Sequence, residues 1–111
     1  MAQAEIAVWQ NYLFSPGISV VRDAHVLQDA VEVHAMHDPT EGGVATALHE
    51  LAHASGVGVR IEAARLPLLD AGAQLCARFG LDPLGVIASG ALLAVVPSTQ
   101  SEAACSWIRS R

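Results

Sequence analysis

The chain has 111 residues, 52% of them apolar, and a formal charge of −5. That length makes one domain, and that composition excludes a disordered segment. Six basic residues, all arginine, form no basic patch, which argues against nucleic acid as a partner.

No apolar run is long enough to cross a bilayer, and no basic-then-apolar leader opens the chain. Cys76 and Cys105 fit a reducing cytoplasm, and their helical, apolar settings predict buried thiols rather than a disulfide.

In chain order, residues 1–15 read as an N-terminal arm or linker remnant, with Ile6, Trp9 and Leu13 near helical spacing. Pro16-Gly17 breaks it. Ser19 then predicts a cap for a helix whose Val20, Val21, Ala24 and Leu27 share one face. Val31 to Met36 alternates as a strand.

A helix over Gly43–Ser55 presents Val44, Ala47, Leu48 and Leu51 to the core and stops at Gly56. Val57, Val59 and Ile61 alternate as a second strand. A connection around Pro67 leads to Asp70, placed to cap a helix carrying Leu75, Cys76 and Phe79 and ending at Gly80. Ala91 to Val96 is continuously apolar, as a strand covered on both faces would be. Ser98 or Thr99 then caps a final helix containing Ala103, Ala104, Trp107 and Ile108. Alternating strands and helices predict a layered α/β or α+β domain.

The stretch Asp38-Pro39-Thr40-Glu41-Gly42-Gly43, between the first strand and the Gly43 helix, concentrates the chemistry. Asp38 with Glu41 three residues later forms an aspartate version of a capping box, with Pro39 suited to the first helical position. Thr40 is a competing cap, which would put the glycines at the helix entrance. Either way, first-turn N–H groups and the helix dipole favour an anion, and Gly42 and Gly43 leave room for a phosphate to approach. A well-capped helix start with no ligand is the plainer reading of the same residues. Glu41 opposes an anion by its charge. His34 and His37 flank the turn as core or capping histidines or as ligand contacts.

His49-Glu50-Leu51-Ala52-His53 matches the H-E-x-x-H string of zinc proteases. The longer form of that pattern wants a third ligand at position 59, which is valine, so a protease site is rejected. His49 and His53 remain able to catch a metal ion adventitiously, on a face that otherwise reads as solvated.

Met36-His37-Asp38-Pro39-Thr40-Glu41-Gly42-Gly43-Val44-Ala45-Thr46-Ala47-Leu48 resembles the signature of the AIR synthase-related superfamily. That superfamily includes aminoimidazole ribonucleotide synthetase, selenophosphate synthetase, thiamine-monophosphate kinase and the hydrogenase maturation protein HypE. Ala54 to Val59, Cys76 to Leu84 and Ser89 to Val96 agree with it in order and spacing, and the HypE-like branch is the most similar. The resemblance covers residues 16–111 and corresponds to part of the family's C-terminal domain.

The resemblance implies a mixed β-sheet packed with helices. It also implies an ATP-dependent enzyme, using magnesium, that activates an amide- or carbonyl-like oxygen by phosphorylation. HypE-like members act on a carbamoyl group carried by a cysteine. ATP and magnesium lie mainly on an N-terminal domain, which is not recognised before residue 16, and the turn faces that site. The residues placed there are His37, Asp38, Pro39, Thr40, Gly42 and Gly43, in substrate or phosphate binding.

The C-terminal tail that carries the HypE cysteine is likewise not recognised. The expectation for this chain is therefore no activity and no bound cofactor when alone, a homo-oligomer joined through a sheet edge or the terminal helices, and a missing nucleotide-binding domain or partner protein. Family dimers form chiefly through the N-terminal domain. The reading from a different class is a non-catalytic module that binds a partner or a small anion.

Overall fold

A computed structural model describes residues 2–110. Among these residues, five α-helices and one two-stranded sheet make up the regular structure: α1 (Gln3–Asn11), α2 (Val21–Ala30), β1 (Ala35–His37), α3 (Gly43–Ser55), α4 (Asp70–Phe79), β2 (Leu93–Val95) and α5 (Ser101–Ser110). A π-helical turn at Leu13–Gly17 follows α1, and 3-10 turns at Ala63–Arg65 and Ser98–Gln100 precede α4 and α5. The class is α+β, helices with a small antiparallel sheet.

Most of residues 2–15 is helical, as α1 and the turn after it. Glu5 anchors the start of α1 by accepting from the Ala2 N–H at 2.9 Å. Further along, α2 starts at Val21. Ser19 lies one residue before the N-cap Val20, and its Oγ accepts from the Val21 N–H only at 3.5 Å, too long for a strong cap.

The first strand is displaced from its expected place. Val31 to Glu32 is taken up in closing α2: the Val31 N–H bonds the Leu27 carbonyl, and the Glu32 N–H bonds Gln100 Oε1 at 2.8 Å. Pairing starts with the His34 N–H on the Val95 carbonyl and runs antiparallel, Ala35 opposite Val95, Met36 opposite Ala94 and His37 opposite Leu93.

Two further strand expectations fail. Val57 to Ile61 belongs to no strand, because no edge of the sheet reaches it. β2 is shorter than Ala91–Val96 and is not covered on both faces: Val95 is 40% exposed. A two-stranded sheet offers each strand one neighbour, so it cannot enclose a central strand.

The helices end as glycine chemistry dictates. Gly56 and Gly80 close α3 and α4 in the left-handed conformation, with φ of 65° and 64°, and a Cβ on either would meet open space. Asp70 is the first residue of α4 rather than its cap; Leu69 holds the cap position with no side-chain bond. Neither Ser98 nor Thr99 caps α5, since both lie in the preceding 3-10 turn.

Little is fully buried. The core is Leu27, Ala47, Ala71, Cys76 and Ala104, with Pro39 the largest side chain fully enclosed. Leu27 and Ala104 sit on α2 and α5, which pack against each other, while α3 leans on β1. Val44, Leu48 and Leu51 of α3 are half-buried. Phe79 is exposed, and so is Cys105, against the expectation of a buried thiol. Both lie on helix faces that no other element covers. Both cysteines are free thiols, with Cys76 buried.

Candidate functional site: the turn from beta1 into alpha3

The turn lies where β1 delivers His37 to the entrance of α3. Neither Asp38 nor Thr40 caps the helix. Gly42 takes the N-cap position with φ 76°, and Gly43 follows at φ 66°. Two consecutive left-handed residues reverse the chain within the space a side chain would fill. A Cβ on Gly42 would lie 2.2 Å from Thr46 Oγ1, and one on Gly43 would lie 2.4 Å from the Val86 carbonyl and 2.5 Å from that of Leu84. Gly43 is thus the point where residues 84–86 close on the helix start.

Hydrogen bonds fix that closure. The Thr40 carbonyl accepts from Gly43 N–H at 3.0 Å and from Ala88 N–H at 3.3 Å. The Ala45 N–H donates to the Leu84 carbonyl at 2.9 Å, and the Thr46 N–H to the Gly42 carbonyl at 3.3 Å. Of the N–H groups from Gly43 to Thr46, only that of Val44 has no backbone partner among the described residues. The expected anion cradle is therefore mostly satisfied from within. Pro39 is buried beneath it, while the side chains of Asp38, Thr40 and Glu41 stand exposed.

His37 and Glu50 form the principal side-chain pair of the site. His37 Nε2 lies 2.5 Å from Glu50 Oε2, with the imidazole 27% and the carboxylate 56% exposed. Gly43, Ala47 and Glu50 recur at i, i+4 and i+7, the spacing that puts them on one helix face, and Gly43 and Ala47 are buried on it. The carboxylate is thereby aimed back at β1. That spacing was the available signal for a contact that motif reading alone passed over.

The same pair gives the H-E-x-x-H glutamate a role on the turn. His49 and His53 stack on the outer face, centroids 6.1 Å apart and planes 18° from parallel. Among the described residues no three His, Cys, Asp or Glu side chains converge to hold a metal ion. His34 is neither core nor cap: it is exposed and pairs with Glu32 at 3.2 Å.

The structure is thus an α+β domain whose strand enters a helix through a glycine pair pinned by a second loop. The chain belongs to the AIR synthase related protein, C-terminal domain family, whose model matches residues 18–111.

It is similar to carbamoyl dehydratase HypE of Rhodobacter capsulatus, at 40% identity over 79% of this chain and 26% of the relative. The Bradyrhizobium diazoefficiens HypE is 32% identical over 91% of this chain and 31% of the relative. Among solved structures, a hydrogenase maturation protein HypE matches with TM-score 0.77 and 30% identity, over 85% of this chain and 30% of that one. A HypE in complex with ATP matches with TM-score 0.65 and 34% identity, over 69% and 23%. A HypE–HypF complex matches with TM-score 0.75 and 29% identity, over 83% and 30%. The chain spans about a quarter to a third of the length of the curated relatives it matches.

Proposed function

We propose that the chain is the C-terminal-domain portion of a HypE-like, ATP-dependent enzyme that activates an amide- or carbonyl-like oxygen by phosphorylation. Its part is to present the turn from His37 to Gly43 to a nucleotide and substrate held by another domain. One observation carries this reading: Gly42 and Gly43 and the loop 84–88 lock the turn so that Asp38 and Thr40 project from a rigid base. His37, held by Glu50, stands at its edge. The relative solved with ATP supports a nucleotide for the complete assembly.

The residues present do not fit a whole nucleotide–magnesium site. Three of the four N–H groups from Gly43 to Thr46 are already bonded to carbonyls, and no described carboxylate cluster could hold the metal. When bound on the complete enzyme, ATP with magnesium supplies an electrophilic phosphoryl group, and this chain's residues orient and close the site around it.

The isolated chain is expected to show no ATP hydrolysis and to bind Mg-ATP no tighter than about millimolar; calorimetry showing micromolar binding would overturn this. The positive test is a chimera in which the chain replaces the corresponding segment of the R. capsulatus relative. ATP turnover should be retained, and Asp38→Ala should lower it roughly 100-fold. Unchanged turnover in the variant would remove the turn from the site.

The second reading, a non-catalytic partner-binding module, is favoured by one feature: large apolar side chains such as Phe14, Phe79, Ile87 and Trp107 are more than half exposed. The relative solved as a HypE–HypF complex supports a protein partner for such a surface. A cytoplasmic setting accords with both readings, and no described helix is long and apolar enough to cross a membrane.

A further inference from the structure

Two of the chain's five histidines sit one helical turn apart on the outer face of α3. His49 and His53 stand at i and i+4, the spacing that sets side chains one above the other on a helix. Their rings lie side by side, with centroids 6.1 Å apart. Both are exposed, and neither makes a hydrogen bond or an ion pair among the described residues. His34 and His37 differ, because each has a ring nitrogen on a carboxylate, that of Glu32 and Glu50. Glu50, between the pair in sequence, is turned toward β1 and takes no part.

The arrangement suits a single ion. Two imidazole nitrogens at about 2.0–2.1 Å from a shared metal put their ring centroids about 5 Å apart, so a closure of roughly 1 Å completes the chelate. A small rotation of two exposed side chains supplies it. His53 lies in the last turn of α3, where the negative end of the helix dipole favours a cation. The formal charge of −5 favours one as well.

We propose that His49 and His53 form a surface site for one divalent transition-metal ion, each giving one ring nitrogen. Imidazole selects ions such as Ni²⁺, Cu²⁺ and Zn²⁺ over Mg²⁺. No third His, Cys, Asp or Glu among the described residues joins the pair, so water fills the remaining positions and the ion stays exchangeable. Such a site is not a protease centre, which needs three protein ligands and a free general base. A metal bridging the two rings ties together two turns of α3, the helix whose Glu50 holds His37. This inference does not depend on the proposed chemistry.

The test is calorimetry of the untagged, reduced 111-residue chain with nickel chloride, beside proton–nitrogen NMR spectra in which paramagnetic Ni²⁺ broadens nearby signals. The expected result is one ion per chain bound in the micromolar range, undisturbed by millimolar Mg²⁺, with broadening centred on residues 49–53. A second imidazole held in place raises affinity roughly 100-fold over one alone, so His49→Gln and His53→Gln should each weaken binding by about that factor. His25→Gln and His34→Gln should leave it unchanged. Saturating Ni²⁺ should raise the Tm of the wild type by several degrees and that of neither pair variant.

Millimolar binding spread evenly over the histidines means an adventitious ion only and overturns the proposal. So does a loss confined to one variant of the pair, a loss on His25→Gln or His34→Gln, or a wild-type Tm that Ni²⁺ leaves unchanged. Circular dichroism checks that the pair variants are folded. Should either not be, the wild-type spectra decide: broadening centred on His49 and His53 supports the site, and broadening centred elsewhere, such as at the exposed Cys105 thiol, overturns it.

Discussion

Two glycines that look interchangeable in sequence do different work. Gly43 is held at positive φ against two carbonyl oxygens, whereas Gly56 has the same φ and open space around it. Gly43→Ala must push residues 84–86 away as well as strain its own backbone, and should cost about 2–4 kcal/mol. Gly56→Ala pays only the conformational penalty, about 1 kcal/mol. Thermal denaturation separates them at roughly 4–8 °C per kcal/mol; equal losses would mean the loop yields freely.

The His37–Glu50 pair is testable at the same scale. A double-mutant cycle with His37→Ala and Glu50→Ala should give a coupling of about 0.3–1 kcal/mol, because the carboxylate is more than half exposed. A coupling near zero would show that the contact does not hold in solution.

At the scale of elements, legibility follows range. The C-terminal ends of α3 and α4 could be read because Gly56 and Gly80 act on their own helix. The start of α3 was harder. Asp38, Pro39 and Thr40 carry cap chemistry, yet the backbone passes them and caps at Gly42, where the closure of residues 84–88 decides the geometry. Strands were legible only where both partners occur in the chain. Ala35–His37 finds Leu93–Val95, while Val57–Ile61 has the same alternation and no strand partner among the described residues.

Asp70 illustrates the same limit on a smaller effect. As the first residue of α4 it meets the helix dipole but satisfies no N–H group as a cap. Asp70→Ala should therefore cost about 0.3–1 kcal/mol at low ionic strength and less in high salt. A salt-independent loss near 2 kcal/mol in chemical denaturation would restore it as a cap.

For the whole molecule, the family could be read from the ordered motifs, but the sparse core could not. An apolar fraction of 52% says how much could be buried, not how much is. Phe79 and Trp107 repeat at helical spacing like any core residue, and both stand more than half exposed. With so much apolar area outside, stability should follow concentration. Raising the chain from about 5 to 500 μM should lift its Tm by several degrees if association stabilises it; a concentration-independent Tm would show that the folded chain stands alone.

The two hydrogen bonds on the Thr40 carbonyl reach further still. They join residues close in sequence, at Gly43, to Ala88, far along the chain, and the Leu84 carbonyl adds a third stitch to Ala45. The entrance of α3 cannot loosen without releasing the 84–88 loop, so both belong to one cooperative unit. In native-state hydrogen exchange the amides of Ala45 and Ala88 should then share one opening free energy, and Gly43→Ala should lower it for both by the same amount.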